Sequence, residues 1–280
     1  MKKILTAFLI ICLLFCSTVY AKGSDVAKVP VLMYHSVGDG ENDVIISAEN
    51  FRSHLEVIRD NGFTPVSLSD LINFVDNGEE LPQKPVLITF DDGYSDNYLN
   101  AFPILSEFGF KATVFVIGSS VGKLTYKDTE IPINPHFDYS EAKEMYDSGL
   151  ISIQSHSHDM HQSQNAENTD FARVNVLPFE NESLLSYIKA FEKDFLTSKN
   201  NIEENVGNKV IAFAYPTGRY NAISEFLLKK NGVRLTVATS MGTNYIKKYD
   251  KESLYKLNRY NIGNQVDSEQ LLEWLSEGTL

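Results

Sequence analysis

The sequence predicts an α/β domain of barrel type, and three observations carry that reading. Short apolar, β-rich runs alternate with amphipathic stretches along most of the chain, glycines close several of those stretches, and residues with catalytic or metal-ligating chemistry recur just past the apolar runs. Such alternation predicts parallel strands joined by crossover helices. In parallel barrels, functional groups gather at the C-terminal ends of the strands.

In chain order, "VPVLMYH" reads as a buried strand that delivers His35 to a polar, Gly-punctuated loop. "SAENFRSHLEVIRDNGF" then begins like a capped helix, with Ser47 ahead of Phe51, Leu55 and Ile58 at helical spacing. The pattern continues through "PVLITF", "YLNAFPILSEFGF", "ATVFVIG", "SEAKEMYDSGL", "ISIQSH", "ENESLLSYIKAFEKDF", "VIAFAYP", "ISEFLLKKNGV" and "LTVATS". "NGF", "FGF" and "NGV" each stop a helix with Gly before the next strand. Residues 119–140 and 162–180 read as long loops, and no repeat or low-complexity linker divides the chain. One domain over residues 29–280 follows, preceded by a short segment, 22–28.

Residues 1–21 have the layout of a secretory signal: Lys2 and Lys3, an apolar run from Ile4 to Phe15, then small residues up to Ala21. Cleavage is expected after Ala21, with an uncleaved anchor as the alternative; lipidation at Cys16 is disfavoured by the bulky Phe15 before it. Both cysteines, Cys12 and Cys16, lie in this segment, so the mature chain would be exported without any disulfide. The formal charge of -12 becomes more negative once Lys2 and Lys3 are removed. That balance argues against nucleic acid and against anionic membrane or wall polymers as partners, and favours a neutral or cationic substrate.

The strand ends supply the chemistry. In "PVLITFDDGYSDN" a strand runs into Asp91 and Asp92 before Gly93, where the chain can turn so that both carboxylates face the mouth. Adjacent carboxylates repel unless a cation or a shared proton separates their roles; the bland alternative is a solvated turn. In "ISIQSHSHDMHQ", Ser152, Gln154 and His156 share the inward face of a strand, and His161 joins His156 only if "SHDM" forms a turn. Asp92, His156 and His161 would then make a three-ligand site with open positions, the pattern of hydrolytic zinc. His158 stays open as ligand, supporting residue or loop histidine, and His35 taken alone reads first as a strand cap or a partner of a backbone carbonyl.

Together, "TFDDGYSDN", "SHSHDMH", "FAYPTGRYN" and "VPVLMYHSV" resemble the polysaccharide deacetylases of carbohydrate esterase family 4, in particular the circularly permuted branch with exported poly-N-acetylglucosamine deacetylases. The resemblance implies a distorted (β/α) barrel with fewer than eight βα units. It implies Asp91 as catalytic base, Asp92, His156 and His161 as ligands of a divalent metal (Zn²⁺, with Co²⁺ or Ni²⁺ as alternatives), and His35 as general acid. A backbone N–H at Tyr215 would hold the oxyanion. The arginine that opens the "FAYPTGRYN" motif in other members is missing, so Arg259 in "LNRYNI", or less readily Arg219, would orient the base. The implied protein is a secreted or wall-associated monomer that releases acetate from an N-acetylglucosamine polymer, with no nucleic acid partner and no stable membrane insertion after cleavage. The competing readings are an O-acetyl polysaccharide esterase and a silent wall-binding protein on the same scaffold.

Overall fold

The computed structural model describes residues 24–40, 42–167 and 172–277, so the expected signal segment with Cys12 and Cys16 lies outside the described residues. Among the described residues twelve strands occur in chain order: β1 (Val26–Val29), β2 (Val31–Tyr34), β3 (Ser36–Val37), β4 (Ile45–Ile46), β5 (Thr64–Pro65), β6 (Pro85–Phe90), β7 (Ala112–Val116), β8 (Ile151–Ser155), β9 (Ala212–Ala214), β10 (Leu235–Val237), β11 (Asn244–Lys247) and β12 (Tyr260–Asn261). Seven of them form a curled parallel sheet in the order β10-β9-β8-β7-β6-β2-β12, and β5 also pairs with β6. Its two edges approach each other just before β12, where the Ala238 N–H donates to Leu257 O at 2.9 Å and the Arg259 N–H to Ser240 O at 2.8 Å. The expected α/β barrel of fewer than eight βα units is therefore present, with the first strand of the sheet beside the last.

Period-two alternation sorts each strand's side chains between two cores. Leu32 and Tyr34, Val86, Ile88 and Phe90, Val114 and Val116, and Ile151 and Ile153 face outward onto helices, where they pack with Phe51, Leu55, Met145 and Phe195. Val31, Leu87, Phe115, Ala212, Ala214, Leu235 and Val237 fill the inside of the curl. Gln154 also lies inside; its side-chain oxygen accepts the Ile211 and Ala212 N–H groups, both at 2.8 Å, where β8 and β9 share only one register pair.

Local chemistry accounts for the helices around the sheet. Ser47 caps the helix Ala48–Asp60 by accepting the Asn50 N–H, as its position in the sequence suggested. Helix Leu68–Asn77 and strand β5 were not anticipated; Ser67 and Asp70 form a capping box there, and Gly78 closes the helix in the left-handed conformation. The segment 22–28 does not stand apart from the domain: from Val26 onward it pairs antiparallel with β11. Among the described residues, no helix is long and apolar enough to cross a membrane.

Candidate active site

Strand parity carries three of the expected residues to one mouth. Val31 and Met33 point into the curl on β2, so His35 follows them; Leu87 and Thr89 do so on β6, so Asp91 follows; Ser152 and Gln154 lead to His156 on β8. Asp92 should by the same rule face outward, and it does not. Asp92 itself adopts the left-handed backbone conformation (φ 71°), as does Gly93 (φ 83°), and the turn is held by the Gly93 N–H donating to Asp91 O at 2.9 Å. Such a conformation is disfavoured for a residue with a Cβ, and Asp and Asn are among those that tolerate it best.

His161 is brought back by the turn that the spacing required. Asp194, on the buried face of helix Leu184–Asn205, accepts the His158 N–H at 2.8 Å and the Asp159 N–H at 2.7 Å. Burial raises the Asp194 pKa, and those two backbone donors oppose the rise. Asp159 in turn pairs with Lys127 at 2.9 Å, which ties the histidine loop to the long loop after β7. Asp194 was not singled out in the sequence, although a carboxylate on the same stripe as Tyr187, Phe191 and Phe195 is a legible anomaly.

Asp92, His156 and His161, the three expected ligands, offer ligand atoms that all lie within 4.8 Å of one another, a cluster that could hold a metal ion. His156 Nε2 stands 3.6 Å and His161 Nε2 3.7 Å from Asp92 Oδ1, too long for hydrogen bonds. Two ligand atoms, each about 2.1 Å from a shared ion at a tetrahedral angle, would lie roughly 3.4 Å apart. The His156 Nδ1 donates to Ala214 O at 2.8 Å, which fixes the tautomer and leaves Nε2 free to coordinate. Burial lowers the His156 pKa, keeping the ring neutral as a ligand must be. Asp92 Oδ1 is buried with no hydrogen-bond partner, an arrangement that is costly unless something cationic completes it. Burial alone would raise the Asp92 pKa, but His161, His35 and His156 pull it below the ordinary carboxylate value. The donor set fits a divalent ion. His158 is outside the cluster; its Nδ1 is buried without a partner, against Gly118.

Asp91 faces the cluster and is gripped from behind. Arg259 donates to both its oxygens, each at 2.7 Å, and is itself held by Ala238 O at 2.7 Å. Arg259 is 0 % and Asp91 2 % exposed, so this bidentate pair is fully desolvated. Burial opposes ionisation of Asp91, yet Arg259 and His156 hold its pKa well below the usual range. Of the two arginines considered, Arg259 is the one on Asp91, whereas Arg219 is exposed.

The Tyr215 expectation needs correction. Its backbone N–H donates to Val237 O at 3.1 Å in the register between β9 and β10, so that donor is already engaged. The Tyr215 hydroxyl also turns away, donating to Glu225. His35 is anchored at the mouth by its carbonyl, which accepts from Asn97 Nδ2 at 2.6 Å, while its Nδ1 is buried without a partner.

A desolvated carboxylate–arginine pair beside a carboxylate and two histidines, at the C-terminal mouth of a curled parallel sheet, defines a hydrolytic enzyme of the α/β-barrel class. A family model described as polysaccharide deacetylase matches residues 78–236. The chain is 30% identical over 226 residues to YxkH of Bacillus subtilis, named for the same family, covering 81% of this chain and 70% of that protein. It is 26% identical over 189 residues to the poly-beta-1,6-N-acetyl-D-glucosamine N-deacetylase of Staphylococcus epidermidis, covering 68% of this chain and 59% of that one. Among solved structures, a de-N-acetylase from Aggregatibacter actinomycetemcomitans superposes with a TM-score of 0.76 at 26% identity, over 89% of this chain and 100% of that one. The chain belongs to the polysaccharide deacetylase family, and is thus a hydrolase of carbohydrate esterase family 4.

Proposed function

We propose that this enzyme is a metal-dependent N-deacetylase that releases acetate from an N-acetylglucosamine-containing polysaccharide outside the cell, biofilm poly-N-acetylglucosamine or peptidoglycan. The observation that carries the reading is Asp91, gripped by Arg259, beside the Asp92–His156–His161 cluster, with His35 close enough to help depress the pKa of both carboxylates. The signal-like residues 1–21 support export. The likeness to named poly-N-acetylglucosamine deacetylases supports that substrate over plant O-acetyl polysaccharides.

Asp92, His156 and His161 would hold the ion, with Zn²⁺ the best fit to one carboxylate and two imidazoles and Co²⁺ or Ni²⁺ able to substitute. When bound, the ion supplies Lewis acidity to the attacking water and the acetyl carbonyl. Asp91 accepts the water's proton on a lone pair that Arg259 leaves free, since each carboxylate oxygen has two. Arg259 fixes the direction of that lone pair. The Tyr215 N–H, engaged by Val237 O, is not free to hold the oxyanion, a stabilisation that the Lewis acidity of a bound ion would supply. His35 gives its proton to the nitrogen as the C–N bond breaks, because an amide anion is too poor a leaving group near neutral pH.

This assignment of His35 is testable by leaving-group dependence. His35→Ala should lower turnover of N-acetylglucosamine oligomers by roughly two to four orders of magnitude while sparing an activated aryl acetate, whose phenolate leaves unaided. Metal content should stay unchanged. Equal losses on both substrates in a folded variant would show that His35 positions the substrate instead.

A further inference from the structure

A cavity of about 400 Å³ opens beside the mouth between the start of helix Ala222–Lys230 and the turn at Lys256, lined by Tyr220, Asn221, Glu225, Phe226, Lys229 and Lys256. It neighbours the active site through the end of strand β9. Ala214, whose carbonyl orients His156, is followed by Tyr215, and the Tyr215 ring backs the half-exposed ring of Tyr220 at 5.0 Å. Left-handed Thr217 (φ 55°) and Gly218 (φ 69°) fold the chain so that Tyr220 returns onto Tyr215, and a Cβ on Gly218 would collide with Thr239.

The floor of the cavity holds an unfinished polar site. Glu225 is only 7 % exposed. Its Oε2 is satisfied by the Tyr215 hydroxyl and by Thr236 Oγ1 at 3.3 Å, but its Oε1 has no hydrogen-bond partner. The nearby Lys229 Nζ stops 3.8 Å short and donates to Glu252 at 2.6 Å instead. A buried carboxylate oxygen without a donor is costly. A hydroxyl between Glu225 and Lys229 would resolve it, donating to the carboxylate and accepting from the ammonium, which few groups other than an alcohol or water can do. The neighbouring Tyr220 and Phe226 present flat apolar surface, and Asn221 and Lys256 add polar groups at the rim. Flat apolar surface next to a hydroxyl-sized polar slot suits the face and edge of a pyranose ring.

We propose that this cavity is a carbohydrate subsite that holds a sugar unit of the same polymer whose N-acetyl group reacts at the metal cluster, an inference that rests on the proposed function. In this arrangement Tyr220 stacks on the sugar, and Glu225 with Lys229 reads one of its hydroxyls. The test is the length dependence of KM on N-acetylglucosamine oligomers from dimer to hexamer. In the wild-type chain KM should fall as the oligomer lengthens; Tyr220→Ala should flatten that fall and raise KM for the hexamer about five- to tenfold, the scale of one aromatic contact, with kcat little changed. Tyr220→Phe should restore the dependence. Identical KM values for Tyr220→Ala and wild type at every length would overturn the subsite. Calorimetric titration of the hexamer into the Asp91→Asn chain, with and without Tyr220→Ala, reads binding without turnover. If the wild type releases no acetate from any oligomer, the proposed function fails, and the titration alone decides the subsite: weaker binding on Tyr220→Ala supports it, and unchanged or absent binding refutes it.

Discussion

Asp91→Asn is expected to reduce acetate release from N-acetylglucosamine oligomers by roughly two to four orders of magnitude, the scale of a lost general base. The amide is nearly isosteric and can still accept from Arg259 through its oxygen, so the fold should survive and metal content should stay at the wild-type level. Both readouts matter, because Asp91 Oδ2 lies 3.8 Å from His156 Nε2, close enough to be mistaken for a ligand. Both Asp91 oxygens are occupied by Arg259, whereas Asp92 Oδ1 has no partner, and the proposed roles of base for Asp91 and ion ligand for Asp92 rest on this difference. Turnover and metal lost together in Asp91→Asn would reverse the assignment.

The second large effect is expected at Arg259. Arg259→Met leaves Asp91 buried without its counter-charge, and breaking such a pair costs about 3–5 kcal/mol, readable in a denaturant titration. Arg259→Lys is the companion variant should the first fail to fold; it keeps the charge and loses the two-pronged grip. In either variant kcat should drop, and in Arg259→Met the acidic limb of the pH profile of kcat/KM should move to higher pH, because burial raises the Asp91 pKa once no cation opposes it; Arg259→Lys, which keeps the charge, should move it less. The sign for stability follows from the same depressed pKa. The Asp91–Arg259 pair contributes fully above the ordinary carboxylate pKa of about 4, and the contribution is lost as pH falls through the depressed folded value. The stability gap between wild type and variant should therefore be widest near neutral pH and close in acid. An unmoved acidic limb with reduced kcat would make Arg259 a structural residue only.

Much of this site was legible in the sequence because period-two alternation carries across a strand end. His35, Asp91 and His156 each extend an inward-facing column, so their convergence needed only parallel strands close together in one curled sheet, with β2 beside β6 and β8 one strand further on. The turn of Asp92 toward the mouth was legible from the Gly that follows it, but not its form: the left-handed φ lies at Asp92 itself as well as at Gly93. The return of His161 depends on Asp194, more than thirty residues away in sequence, and no local pattern links them. Tyr215 was misjudged because a backbone donor's availability is decided by the ladder register between β9 and β10, which side-chain patterns do not encode. Helix Leu68–Asn77 went unread although its Ser67–Asp70 capping box is visible, since it sits between a two-residue strand and a long loop. Arg259 lies before a strand of two residues, too short to give a pattern, and only the buried charge of Asp91 explains why an arginine is there.

The central claim is that a divalent ion on Asp92, His156 and His161 is required for N-deacetylation. It is tested most directly by measuring bound metal and acetate release together, in the wild-type chain before and after chelation and in Asp92→Ala. The expected result is one ion per chain, loss of acetate release on chelation with recovery on adding Zn²⁺ or Co²⁺, and neither metal nor activity in Asp92→Ala. Undiminished acetate release from the metal-free chain, or full metal content with full activity in Asp92→Ala, would contradict it.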